Sequence, residues 1–311
     1  MKSMSIKVSA FATVSNVGPG FDIMGFAVDV EAEEMIVNLK EKPGIKILKS
    51  LGNKNQYPLN LEKNTAAVAV KKMLSFLGLN IGVEVRIKKK IVPGSGLGSS
   101  AASAVAAPFA LNELLGRPFT KKDLLLFALE GEAAASGSFH ADNVAPCLFG
   151  GFVLIREYNP PDLINLPVPK NLYCTIIHPQ FSIKTSEARK ILRKEYSLKD
   201  VTVQSGNSSA LIAGIMKRDF ELVKRSMNDL ISEPARSKLI PGFYEIKEAA
   251  LNAGAYGCTI SGSGPAIFAL SDSERNARII GHAMKKVSDA YKRKNIVYVS
   301  KINLSGPVVK G

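Results

Sequence analysis

The stretch Pro93-Gly94-Ser95-Gly96-Leu97-Gly98-Ser99-Ser100-Ala101 has the residue types of a phosphate cradle. Its glycines let the main chain take unusual dihedrals and approach a ligand closely. An alanine-rich run follows and reads as a helix, so the free N–H groups at its start present a partial positive charge to an anion. Ser95, Ser99 and Ser100 add hydroxyls that bond phosphate oxygens or sit on a magnesium ion. Two familiar labels fail: the Walker pattern needs lysine where Ser99 stands, and G-x-G-x-x-G needs glycine at Ser99 or at Ala101. Taken alone, the stretch is explained equally well as a glycine-serine turn capping a helix.

Two other segments change that balance. "SNVGPGFDIMG", from Ser15 to Gly25, is a tight turn carrying Asn16 and Asp22, and "GCTISGSGPAIFAL", from Gly257 to Leu270, is a glycine-serine turn between apolar strands. With "PGSGLGSSAA" they resemble, in order and spacing, the three motifs of the GHMP kinase superfamily, named for galactokinase, homoserine kinase, mevalonate kinase and phosphomevalonate kinase. Within it, "ATVSNVGPGFDIMG", "SGSFHADNVAPCLFGG", "KTSEAR" and "EPARSKLIPGF" are similar to the homoserine kinases. The resemblance spans almost the whole chain. It implies an α+β fold of two domains, 1–160 like the second domain of ribosomal protein S5 and 161–311 ferredoxin-like. It also implies transfer of the γ-phosphoryl of ATP to the side-chain hydroxyl of L-homoserine, with ATP and Mg2+ as cofactors, in a homodimer.

The resemblance further implies a role for each residue. Pro93 to Ala101 take the nucleotide phosphates, and Glu132 takes magnesium with a hydroxyl from Ser100 or Ser99. Glu130, two residues from Glu132, would point to another face of the helix. Asp22 and Asp142 face the substrate ammonium; Arg189 and Arg236, helped by Thr185, face its carboxylate, where a guanidinium engages bidentately. Asn16, His140 and Asn143 complete the polar wall, and Gly262 lets the backbone close on the ligands. In several relatives an aspartate before asparagine acts as general base, the place Asp142 holds here. The homoserine kinase pattern instead has Asn143 orient the hydroxyl while its proton passes to the phosphate. Asn64 or Thr65 would lie at the adenine, although a helix N-cap explains Asn64 as well. Each has a bland counterpart: an Asx turn at "HADN", a structural histidine, a surface arginine, an exposed helix carboxylate.

The elements that must hold these residues follow from periodicity. Ser5 to Asn16 alternates as a strand, "VDVEAEEMIVNLKEK", "GIKILKS" and "IGVEVRIKKKI" read as further strands, and Asn64 to Leu79 has helical spacing with Gly78 near its end. Ser99 to Leu115 is a helix in which Pro108 predicts a bend. Another helix starts near Thr120, and Gly150 to Tyr158 is a strand. "NPPDLINLPVPKN", with four prolines, reads as the linker between two halves. Beyond it come strand "LYCTIIHP", helices at 186–194, 205–218 and 220–228, and a closing helix, strand, turn, strand, helix, strand block. Strands alternating with helices, with hairpin-like turns mixed in, give α+β.

Composition bounds the rest. The 311 residues are 46% hydrophobic and 22% charged, the proportions of a globular protein with two ordinary domains. Alanine-rich stretches are too short to span a membrane, and the N-terminus lacks a secretory pattern, so a cytoplasmic address without membrane partners is expected. Cys147, Cys174 and Cys258 are too scattered for a disulfide framework or a zinc site and read as buried small residues. A net charge of +14 suits a nucleic-acid binder, but clusters such as Lys88 to Lys90 are dispersed and lack interleaved aromatics. They read as solvated faces, with no nucleic-acid partner. The alternatives are another GHMP kinase, acting on mevalonate or shikimate, and a basic nucleic-acid-binding protein. An acceptor without an amino group would leave Asp22 and Asp142 no cation to pair.

Overall fold

The computed structural model describes residues 4–48, 57–137 and 139–310. Lys49 and Ser50 of the expected third strand, and Ser138 of the motif before His140, lie outside them. Along the chain run β1 (Ser5–Val17), β2 (Gly20–Lys40), β3 (Gly44–Leu48), α1 (Thr65–Leu77), β4 (Gly82–Lys88), α2 (Ser99–Leu114), α3 (Lys121–Ser136), α4 (Ala141–Phe149), β5 (Phe152–Tyr158) and β6 (Pro161–Leu166). Then follow β7 (Tyr173–Pro179), α5 (Thr185–Lys190), α6 (Leu198–Lys217), α7 (Phe220–Ser226), α8 (Glu233–Arg236), α9 (Phe243–Asn252), β8 (Gly257–Ile260), β9 (Ile267–Ser271), α10 (Glu274–Ala290), β10 (Asn295–Lys301) and β11 (Val308–Lys310).

Two sheets carry the architecture, an α+β arrangement. The first runs β11-β1-β2-β4-β3, with β5 pairing β2 and β6 pairing β5; the second is a four-stranded sheet, β10-β7-β9-β8. All pairings are antiparallel except β3 with β4. One apolar core continues between the sheets: Phe26 of β2 meets Phe268 of β9 edge-on, ring centroids 5.7 Å apart. A smaller core lies where α9 and α10 cover the second sheet.

Local signals account for the helix ends. Asn64 caps α1 by accepting from Ala67 N, and Gly78 ends it with φ of 64°, as the capping residue and glycine predict. Thr120 and Asp123 form a reciprocal capping box at the start of α3. Helix α2 is buried nearly all round because its alanines leave no bulk to keep its neighbours away, and it continues through Pro108.

Five expectations need correction. The proline-rich stretch holds β6, paired with β5 in the first sheet, because its prolines stand at or beyond the strand ends where no ladder N–H is lost. The C-terminus also returns to that sheet, where β11 pairs β1, so the 161–311 half is not spatially self-contained. The strand read from Val28 begins at Gly20 and absorbs a register shift opposite Phe11 and Ala12. The helix placed at 186–194 is only Thr185–Lys190, and the one at 205–218 begins at Leu198, where Ser197 accepts from Asp200 N. The three cysteines are buried and unpaired, as expected.

Candidate active site

A cavity of about 430 Å³ opens where the three glycine-rich turns meet. The loop before α2 is fastened by its carbonyls. Pro93 O accepts from Ser182 Oγ, Gly94 O from Ile183 N, Ser95 O from Ala266 N, Gly96 O from Ser261 Oγ and Leu97 O from Thr13 N, all within 2.6–3.2 Å. With the oxygens consumed, the N–H groups of Gly96, Gly98, Ser99 and Ser100 have no acceptor among the described residues. That is a nest of free donors at a helix start.

Gly98 sits at φ 68°, and a Cβ there would stand 2.0 Å from Thr13 Oγ1 and 3.0 Å from Asn143 Oδ1. No other residue fits that place. Of the nine loop residues singled out in the sequence, Leu97 and Ala101 bury their side chains in the core and do not line the cavity. Asn64 lines a neighbouring hollow of about 500 Å³ with Thr65, Ser99 and Ser100. Its oxygen caps α1 and its amide donates to Pro58 O at 2.7 Å, so the capping role is the one the structure shows.

The two serines part ways. Ser99 Oγ is 2.9 Å from Ile91 O and 3.2 Å from Glu33 Oε1, whereas Ser100 Oγ donates to Glu132 Oε1 at 2.8 Å. Glu132 is 4% exposed, and burial pushes its carboxyl up to about 7. Glu130 points elsewhere, to Lys72 at 3.2 Å on the surface. Hard oxygen donors on adjacent helices suit magnesium, which takes one or two protein ligands and completes its shell with phosphate and water. No cluster of three or more His, Cys, Asp or Glu side chains exists among the described residues.

Lys89 corrects the reading of Lys88 to Lys90 as a solvated cluster. Lys88 and Lys90 reach the half-buried Glu34 from the surface, but the Lys89 side chain is 5% exposed. Its ammonium lies 3.2 Å from the buried Glu33 carboxylate and donates to Ser99 O, Ser99 Oγ and Ser103 Oγ at 2.8 Å each. A lysine is therefore present under the start of α2, supplied from the chain before the loop.

The opposite wall holds charged groups in fixed poses. Asn16, at φ 54°, accepts from Asp22 N at 2.8 Å and donates to Gly262 O at 3.1 Å; Gly262 N in turn donates to Ser15 O. Arg189 Nη2 donates to both oxygens of Asp22, at 2.8 and 2.9 Å, and lies 3.2 Å from His140 Nε2. Arg236, 2% exposed, donates from Nη1 to Gly262 O at 2.8 Å and from Nε to Ala188 O. Arg189 Nη1 and Arg236 Nη2 have no acceptor among the described residues, so each arginine keeps a donor for a ligand. Thr185 opens α5 on the same cavity.

Asp142 and Asn143 lie in the first turn of α4, which begins at the "HADN" stretch. Asn143 is locked: its oxygen accepts from Thr13 Oγ1 and its nitrogen donates to Ser15 Oγ, both at 2.8 Å. One amide hydrogen remains for a ligand. Asp142 is 1% exposed, its Oδ1 has no partner, and burial, reinforced by the charge of Asp22, raises its carboxyl to about 7. Burial lowers His140 to about 4, helped by Arg189, so the imidazole is neutral and offers Nε2 as acceptor to Arg189. Thr13 and Ser15 escaped the sequence reading, although, two residues apart on β1, they share the face of the strand that meets Asn143 of α4.

The GHMP kinases N terminal domain matches residues 63–151 and the GHMP kinases C terminal domain residues 211–290. The chain is 48% identical over 295 residues to a homoserine kinase of Chlorobium phaeobacteroides, covering 92% of each. It superposes on the crystal structure of homoserine kinase from Cytophaga hutchinsonii with a TM-score of 0.96 at 53% identity, covering 98% of this chain and 97% of that one. L. major mevalonate kinase in complex with R-mevalonate shares the fold alone, at a TM-score of 0.74 and 19% identity over 96% of this chain and 97% of that one. Family domains in both halves, and near-complete coverage at about half identity, place the chain in the homoserine kinase family of the GHMP kinases.

Proposed function

We propose that this ATP-dependent kinase phosphorylates the side-chain hydroxyl of L-homoserine by positioning and electrostatics, without a dedicated base. The observation that carries the reading is the nest of unpaired amides at Gly96, Gly98, Ser99 and Ser100, set against paired cations and carboxylates across one cavity. The amides receive the triphosphate. Glu132 and Ser100 would hold magnesium, which supplies charge neutralisation for the β- and γ-phosphates.

Arg189 and Arg236 take the substrate carboxylate through their spare nitrogens, and Asp142 and Asp22 take the ammonium. Asp22 meets the ammonium while still held by Arg189, so the substrate inserts beside an existing pair. Asn143 holds the hydroxyl with its remaining amide hydrogen, in line with the γ-phosphorus. The hydroxyl oxygen bonds to that phosphorus, the bond to the ADP oxygen breaks, and the hydroxyl proton moves to the transferred phosphoryl group. Fixed donors are what such a loose transition state requires. The cytoplasmic homodimer expected from the family belongs to the same proposal.

An ADP-release assay with magnesium and equal concentrations of homoserine, mevalonate and shikimate tests the substrate. Homoserine should dominate; turnover of mevalonate or shikimate at the same rate would overturn the assignment. In the same assay Gly98→Val should lose nucleotide affinity while the protein stays folded by circular dichroism, because its side chain collides with Thr13 and Asn143.

A further inference from the structure

The two arginines of the substrate wall share one further neighbour that lies outside the cavity. Both guanidinium carbons stand over the ring of Phe21, 5.5 Å from its centroid for Arg189 and 5.2 Å for Arg236. These distances fall within the range in which a ring face attracts a cation. Phe21 does not line the cavity; it forms the wall of a separate hollow of about 380 Å³ behind Arg189.

Two guanidiniums aimed at one carboxylate repel each other. Burial above all depresses the Arg236 guanidinium; the charge of Asp22 opposes this, and the charge of Arg189 adds to it by less. Of the two arginines, it is Arg189 that Asp22 bonds directly. Arg236 has only carbonyl acceptors on its hydrogen-bonding edge. The Phe21 ring is the group that meets both cations without consuming an N–H. An aromatic face offers electron density to a stacked guanidinium while leaving its donors in the plane for a ligand. The turn makes this reachable: Asp22 is left-handed at φ 61°, with its N–H on Asn16, so that two consecutive side chains both bear on Arg189.

We infer that Phe21 is a positioning residue for carboxylate recognition, its ring holding Arg189 and Arg236 in converging poses before the amino-acid substrate binds. The inference rests on the proposed roles of those arginines. It assigns the ring's quadrupole, rather than its bulk, to specificity for an α-carboxylate.

The test replaces Phe21 with leucine, with tyrosine, and with phenylalanines carrying one, two and three ring fluorines, which withdraw density at nearly constant size. The KM for homoserine should rise about five- to thirty-fold in Phe21→Leu, the span of about 1–2 kcal/mol. It should climb stepwise with fluorine number and recover in Phe21→Tyr, with kcat and the KM for ATP moving less than about two-fold. The inhibition constant of 3-aminopropan-1-ol, which keeps the ammonium and hydroxyl but lacks the carboxylate, should not follow the series. A flat fluorine series, or equal losses for ATP and homoserine, overturns the inference. Arg189→Ala and Arg236→Ala run alongside separate the two claims. If both raise the homoserine KM and the fluorine series is flat, Phe21 alone loses its role; if neither does, the carboxylate reading falls and the inference with it.

Discussion

Two ion pairs flank the glycine loop, built from similar groups and used in opposite ways. Lys89 and Glu33, at 5% and 0% side-chain exposure, are sealed beneath the start of α2 and surrounded by serine hydroxyls and a carbonyl. Arg189 and Asp22, at 39% and 29%, sit on the rim of the cavity, and the guanidinium keeps a nitrogen unspent. In the first pair every lysine donor has a protein acceptor, so the charges act as scaffold. In the second, solvent and ligand can reach the same atoms, so the pair is a receptor. Access and the unspent donor separate scaffold from site; charge does not.

Three experiments bear on that contrast. The largest effect is expected from Lys89→Met, which strands Glu33 as an uncompensated buried carboxylate and should cost about 3–5 kcal/mol in urea unfolding. Adding Glu33→Leu should restore most of the loss. Lys89→Met with wild-type stability would show that the sealed pair is not structural. Next, Arg189→Ala should leave stability nearly unchanged, since a partly exposed pair contributes about 0–1 kcal/mol. It should weaken homoserine binding about ten- to hundred-fold with ATP binding nearly intact, the range of a lost charge-assisted hydrogen bond. Titration calorimetry with each ligand decides, and equal losses would merge the two pairs into one class.

The smallest effect is a pH dependence at Asp142, whose carboxyl is raised to about 7. For a group whose folded value is raised, the stabilising contribution is complete below its unfolded value near 4 and is lost as pH rises through about 7. Asp142 should make the ligand-free protein about 1 kcal/mol less stable at pH 8 than at pH 6; Glu132, raised likewise, adds a similar slope, so Asp142→Asn should remove about half of the total. Homoserine, bringing an ammonium, binds the ionised form better, so its KM should fall over the same interval. A wild-type KM that rises with pH would remove Asp142 from the ammonium site.

Much of the site was legible because it is made of short, local signals. Glycines needing φ above zero, serines at a helix start and the "HADN" stretch announce themselves within a few residues. Helical phase, which turns Glu130 and Glu132 to different faces, was also legible; the sequence left Ser99 and Ser100 open, and in the structure it is Ser100 that reaches Glu132. Lys89 was misread because a run of three lysines carries no sign of which one turns inward. β6 was missed because prolines at strand ends look the same in sequence as prolines in a linker. Phe21 was passed over because its partners lie 168 and 215 positions away, and no local pattern marks a ring that meets two distant cations.

By itself the sequence determined the caps of α1 and α3, at Asn64, Gly78 and Thr120, and carried, by resemblance, three glycine-rich turns in a known order. Backbone conformation and capping are settled within a few residues, so local composition is enough to decide them. Only the tertiary structure decided which charges are sealed and which are offered: burial depends on what segments far along the chain bring up against a side chain. Lys89 and Arg189 differ in that respect, and their opposite roles follow from it.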